Sequence, residues 1–145
     1  MLLTKGSSFQ VNSYNDVIVN LKIPSESSVT YTMFILDKSG IALDHRVVSP
    51  DEYIELPLGN LPKRAQNVSF VVSADQSLSL QAAQLDIQIN KHPLCKYILN
   101  EIITTEKAFI LGEFYKFGKG WKFRAVGQGY YGGLGAVLNN FSLKN

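Results

Sequence analysis

Three groups of residues in this chain of 145 could do chemistry, and each requires a different set of companions. His45, His92 and Cys95 offer imidazole and thiolate, the ligands of zinc, and His92-x-x-Cys95 has a workable local spacing. Structural zinc requires four ligands, ordinarily as two paired motifs, and the sequence holds no second pair. Cys95 is the single cysteine, so no intrachain disulfide forms, and a small buried position suits it. His45 follows Asp44, yet neighbours in a strand point to opposite faces, so adjacency makes no catalytic dyad. Neither a G-x-S-x-G elbow nor an H-E-x-x-H pair occurs. No enzymatic activity is expected.

Gly127-x-Gly129-x-x-Gly132 matches the dinucleotide fingerprint letter for letter. That fingerprint needs a following helix, a second parallel strand and an acidic residue about 20 positions on. Thirteen residues follow Gly132 and none is acidic, so these glycines are expected to be structural. The third group interleaves Lys116, Lys119, Lys122 and Arg124 with Phe114, Tyr115, Phe117, Trp121 and Phe123. Such interleaving can hold single-stranded nucleic acid by phosphate contact and base stacking. It also arises whenever one face of a strand is buried and the other wet. With Glu106 and Glu113 nearby and a net charge of only +2, the solvated-face explanation is preferred and no nucleic acid is expected.

Positioning these residues is a matter of strands, because alternation with period two dominates. Val17, Val19, Leu21 and Ile23 share one face of an extended segment that ends at the loop Pro24–Ser28. Tyr31–Asp37 is apolar on both faces, as a central strand requires, and Asp37-Lys38-Ser39-Gly40 turns it back into Ile41–Val48 as a hairpin. Tyr53–Leu58 alternates with Tyr53, Glu55 and Pro57 outward, and Pro57, having no ladder donor, places it at an edge or ends it there. Val68–Ala74, Leu85–Asn90, Lys96–Ile103, Ala108–Phe117 and Trp121–Gln128 complete the set. In the last of these, Trp121, Phe123, Ala125 and Gly127 face one way and Lys122, Arg124 and Val126 the other. Leu134, Val137, Leu138 and Phe141 share the face of a short helix over Gly133–Phe141. Eight or nine strands at this spacing predict an all-β, two-sheet β-sandwich with a short C-terminal helix, one domain over residues 1–145.

The run AFILGEFYKF (Ala108–Phe117) followed by GWKFRAVGQGYYGGLG (Gly120–Gly135) resembles the C-terminal signature of the TerD family of tellurium-resistance and stress-response proteins. The likeness extends upstream through Asn60–Ser73 and Leu85–Asn90, and more thinly to Leu3-Thr4-Lys5-Gly6 and Asp16–Ile23. It implies a β-sandwich, a non-enzymatic role in tellurite and related stress, and partners among other Ter-type proteins at or near the membrane. It also implies bound calcium, held in the family by an Asp-x-Asp step and a long acidic loop. Here the Asp-x-Asp step falls on Ser28 and Thr30, and the acidic loop is shortened to Ser49-Pro50-Asp51-Glu52. Calcium takes six to eight oxygens, several of them from carboxylates. The remaining candidates are Asp37, Asp44, Asp51 and Glu52, and the site is expected to be lost or very weak, leaving no cofactor.

Apolar content of 46% and charged content of 18% describe a foldable globule rather than a disordered chain. Met33–Leu36 and Ala108–Leu111 are among the longest apolar runs, far short of the about 20 residues that span a bilayer. Met1-Leu2-Leu3-Thr4-Lys5 lacks the basic and apolar regions of a secretory signal. The protein is therefore expected in the cytoplasm, peripheral to the inner membrane only through partners. The expected role is a binding or scaffold module, with Tyr53, Lys119, Lys122, Arg124, Tyr130 and Tyr131 as interaction residues, because aromatic and Arg side chains dominate interface energetics. The alternatives are a homo-oligomer that self-assembles through open sandwich edges and a calcium-dependent switch that kept its site.

Overall fold

A computed structural model describes residues 2–12, 16–22, 30–49, 52–74, 83–99 and 107–143. Two sheets face each other. The first runs in the order β1 (Leu2–Leu3), β9 (His92–Leu99), β8 (Ala83–Ile89), β3 (Val17–Lys22), β6 (Tyr53–Leu56). The second runs β2 (Ser8–Val11), β11 (Gly120–Tyr130), β10 (Ala108–Phe117), β7 (Asn67–Ser73), β4 (Thr30–Leu36), β5 (Ala42–Val48). All pairings are antiparallel except β1 with β9. The expected sandwich is present, as is the expected hairpin of β4 and β5.

The period-two reading of β3 holds in register. Val17, Val19 and Leu21 are buried and lie opposite Ile89, Ile87 and Leu85 of β8. The reverse face of this sheet is polar, with Lys22 paired to Asp86 at 3.1 Å. In the second sheet both faces are apolar, for a reason the helix supplies. Tyr31, Met33 and Ile35 of β4 enter the core between the sheets, while Phe34 and Leu36 pack beneath α1 (Gly133–Leu143) with Val71, Ile110, Val137 and Phe141. The molecule thus has a third layer. Leu138 departs from the expected helical face and stays partly exposed, whereas Leu134, Val137 and Phe141 point at the sheet.

A one-residue slip in β10 reconciles its unbroken apolar run with a two-faced sheet. Phe109 and Leu111 face the core, and Ala108 and Ile110 face the helix. The register then shifts between Ile110 and Gly112, so that Phe114 faces the core and Glu113 lies outside beside Arg124. A bulge reverses every later side chain in this way. Two glycines make room for it. A Cβ at Gly112 would overlap the Phe123 ring, and one at Gly127, whose φ is +62°, would overlap Tyr97 Oη.

Several boundaries differ from the sequence expectation. β6 stops at Leu56, and Leu58–Asn60 form a 3-10 turn after Pro57, although the strand is indeed an edge. β9 begins at His92, not Lys96, because Asn90 and Lys91 adopt φ of +52° and +67° and close a tight β8–β9 hairpin. Residues 100–103 lie outside the described set. β1 and β2 were not expected at all. They are two and four residues long, too short for periodicity to register.

Candidate interaction surface

Among the described residues, the carboxylates that the sequence offered for calcium, Asp37, Asp44 and Glu52, do not come together. Asp37 terminates β4, and its Oδ1 accepts the Ser39 and Ile41 amides at 2.9 Å each, closing the turn. Its Oδ2 accepts from Arg64 at 3.3 Å. Glu52 pairs with Arg46 through Oε2 and accepts the Ser49 amide at 3.1 Å through Oε1. Asp44 Oδ1 accepts the His45 amide at 2.8 Å. Asp51 and Ser28 lie outside the described residues. Among the described residues no three His, Cys, Asp or Glu side chains come together. Calcium's demand for several converging carboxylates does not fit this set. The zinc candidates fare no better: His45 is on the second sheet, His92 opens β9 on the first, and the Cys95 side chain is not among those described.

The basic and aromatic strip divides into three. Arg124 bonds Glu113 at 2.5 Å and lies 5.7 Å from the Tyr115 ring centroid. Glu113 is only 4% exposed, so this pair is a structural bond on the outer face of the second sheet. Lys122 Nζ sits 3.9 Å from the Phe117 ring centroid. Lys119 turns elsewhere, into an open cleft of about 310 Å³ with Lys63, Lys116 and the edge of Trp121. Trp121 itself is buried, as is its neighbour in alternation Phe123.

The two adjacent tyrosines separate as well. Tyr131 is exposed in the turn before α1. Tyr130 packs against the helix, with its hydroxyl buried and without a partner among the described residues. Burial, and after it the Glu113 charge, pushes the Tyr130 pKa above its ordinary value of 10.0. The glycines of the fingerprint are structural here: Gly127 and Gly129 lie in β11, and Gly132 abuts Ala136 of α1.

The remaining surface of note is the side of the sandwich where β5 and β6 end the two sheets, joined by the short link 49–52. Among the described residues the four sheet ends are β1, β2, β6 and β5, of two, four, four and seven residues. β5 is thus the longest run of unpaired backbone. Val47 on β5 is 64% exposed and Tyr53 on β6 is 61% exposed, with Ile41 at the start of the hairpin also exposed. Tyr53 was an expected interaction residue. Val47 and Ile41 were not, because Ile41–Val48 reads as an ordinary strand until its place at the sheet end is known.

A two-sheet antiparallel sandwich with a helix over one sheet is the class of protein these features define. A solved structure titled as an unknown-function protein, SAV2460, shares the fold, with a TM-score of 0.60 at 17% identity over 83% of this chain and 92% of that one. The TerD domain family model matches residues 43–141, and the chain belongs to that family. It is 31% identical over 102 residues to a Serratia marcescens protein named Tellurium resistance protein TerD, covering 64% of this chain and 53% of the relative. It is also 31% identical over 102 residues to Chemical-damaging agent resistance protein B of Clostridium acetobutylicum, covering 64% of this chain and 73% of that protein. General stress protein 16U of Bacillus subtilis is 29% identical over 103 residues, covering 65% of this chain and 53% of that protein. The chain therefore spans about half the length of the Serratia and Bacillus relatives. No helix among the described residues is long and apolar enough to cross a membrane.

Proposed function

We propose that this chain is a non-enzymatic protein-binding module of a bacterial stress-resistance system, working through the β5–β6 side of the sandwich without calcium. The observation that carries the reading is the seven-residue open strand β5 with Val47 exposed along it; Tyr53 is exposed on the end of the other sheet, on the opposite outer face. An edge strand offers a row of backbone donors and acceptors, and exposed apolar side chains beside it supply the area that a partner covers. The names of the relatives, for tellurium, chemical damage and general stress, support the stress-resistance part. Calcium independence is supported by Asp37, Asp44 and Glu52, each turned to a partner of its own. The partners this role calls for are other Ter-type stress proteins in the cytoplasm or in a membrane-associated complex.

The test is protection of cells challenged with tellurite and with an alkylating agent, comparing wild type with Val47→Asp and Tyr53→Asp. Both positions are solvent-facing, so the variants are expected to fold and to lose protection. Full protection by both folded variants would remove the edge from the mechanism. Turnover in a broad hydrolase and phosphatase screen would overturn the non-enzymatic part.

A further inference from the structure

We infer that β5 pairs with β5 of a second copy, antiparallel and centred on His45, to make a two-fold dimer with a continuous twelve-stranded sheet. This rests on the reading of the β5–β6 side as the binding surface and names the partner.

The order of charges along the strand selects the occupant and the register. In an antiparallel pair around a two-fold axis perpendicular to the sheet, one residue faces its own copy and its neighbours face each other crosswise. Opposed residues must also share a face, since successive side chains alternate. Centring on His45 sets Asp44 against the partner's Arg46 and Arg46 against the partner's Asp44, two opposite-charge pairs from one strand. Leu43, the extra residue where the β4–β5 register shifts, turns to the core between the sheets and takes no part in the pairing. Centring one residue earlier sets Asp44 against Asp44, and one later sets Arg46 against Arg46. Charges on an edge strand ordinarily discourage pairing. Here their spacing discourages every neighbouring register and permits one.

The backbone agrees. The His45 amide donates to the side chain of its own neighbour, Asp44 Oδ1, at 2.8 Å, as an amide facing an open edge does. With His45 amides facing outward, the two His45 residues exchange both backbone hydrogen bonds across the axis. Asp44 and Arg46 then fall at the more closely spaced pairs, where side chains lie nearest. Docking replaces the Asp44 cap with a partner carbonyl and releases that carboxylate to the partner's Arg46. Arg46 has five donors and can keep Glu52 while it takes a second carboxylate.

A charge swap tests this with the full chain. Wild type is expected to dimerise reversibly in sedimentation velocity at high micromolar to millimolar concentration, as suits a contact made mainly through one strand. Asp44→Arg alone brings Arg against Arg twice, and Arg46→Asp alone brings Asp against Asp twice, so each should lose the dimer at least tenfold. Mixed together they form two opposite pairs, and the heterodimer should return. A wild type that stays monomeric, or a mixture that stays monomeric, overturns the inference. Should Arg46→Asp unfold for want of the Glu52 bond, a cysteine scan decides instead. In a Cys95→Ala background, His45→Cys should cross-link to itself on oxidation, since its Cα lies about 5.5 Å from its twin. Val47→Cys, two positions from the axis, should not, and the reverse result overturns the register. A monomeric wild type whose Val47→Asp variant still loses protection would sink the dimer and leave the proposed binding role standing.

Discussion

β11 and β5 lie in the same sheet and carry the same kinds of residue, yet the fold puts them to opposite uses. β11 has neighbours on both sides, β10 and β2. Its Arg124 reaches the buried Glu113 within the same molecule, and its Lys122 lies over Phe117. β5 ends the sheet, and Asp44, His45, Arg46 and Val47 are all exposed there. Charge on the interior strand is thus closed over and stabilises the monomer, while charge on the terminal strand has local partners, Glu52 for Arg46 and the His45 amide for Asp44, but stays exposed to solvent. Position in the sheet, rather than composition, decides which.

The comparison can be broken hardest on the β11 side. Gly127→Val and Gly112→Leu each force a side chain into space held by Tyr97 or Phe123. Each is expected to cost about 3 kcal/mol or more in urea unfolding. Val47→Asp on β5 should change stability by less than about 0.5 kcal/mol, because its side chain is solvent-facing. The two ion pairs give the next contrast. Arg124→Ala strands a carboxylate that is 5% exposed, at a cost of about 2 to 3 kcal/mol given the half-exposed arginine. Arg46→Ala frees Glu52 to water and should cost less than about 1 kcal/mol.

Much of this contrast was legible in the sequence, and the part that was not has a physical cause. The alternation Trp121, Phe123, Ala125, Gly127 named the buried face of β11 correctly, and the double-faced apolarity of Tyr31–Asp37 marked an interior strand. Periodicity reports which faces are dry. It does not report which strand comes last in a sheet, so Ile41–Val48 gave no hint that Val47 would stay exposed. Alternation also could not show the slip at Gly112, which carries Glu113 outside where an unbroken strand would point it into the core. Nor could it show that Lys119 parts from Lys122 and Arg124. A hairpin turn at Gly118 sends Lys119 toward Lys63, far away in sequence.

Two smaller effects sharpen the picture. The Tyr130 hydroxyl is buried without a partner among the described residues, and its pKa is raised by burial and by Glu113. The neutral form is therefore favoured in the folded chain, and the unfolded chain ionises first as pH rises through 10.0. Stability should fall above that pH, and Tyr130→Phe should lessen the fall while gaining up to about 1 kcal/mol at neutral pH. The change is read by thermal unfolding across alkaline pH. Smallest of all is the response to calcium. A ligand that binds only the folded state raises stability as RT ln(1 + [L]/Kd). Millimolar calcium is expected to leave the melting temperature where chelator and magnesium leave it, and a calcium-specific rise would show that the carboxylates converge after all.

The first eleven residues carry a consequence for how the chain is made. β1 and β2 join opposite sheets, and their partners are β9 and β11, near the other end of the sequence. On a ribosome these residues emerge well before their hydrogen-bonding partners. The nascent sandwich must therefore stay open along that flank until Gly120–Tyr130 has cleared the exit tunnel. Closure of loops this long is slow, so β1 and β2 are late to join their sheets. A ribosome stalled before Gly120 would leave β2 without its partner strand and β10 as an open edge.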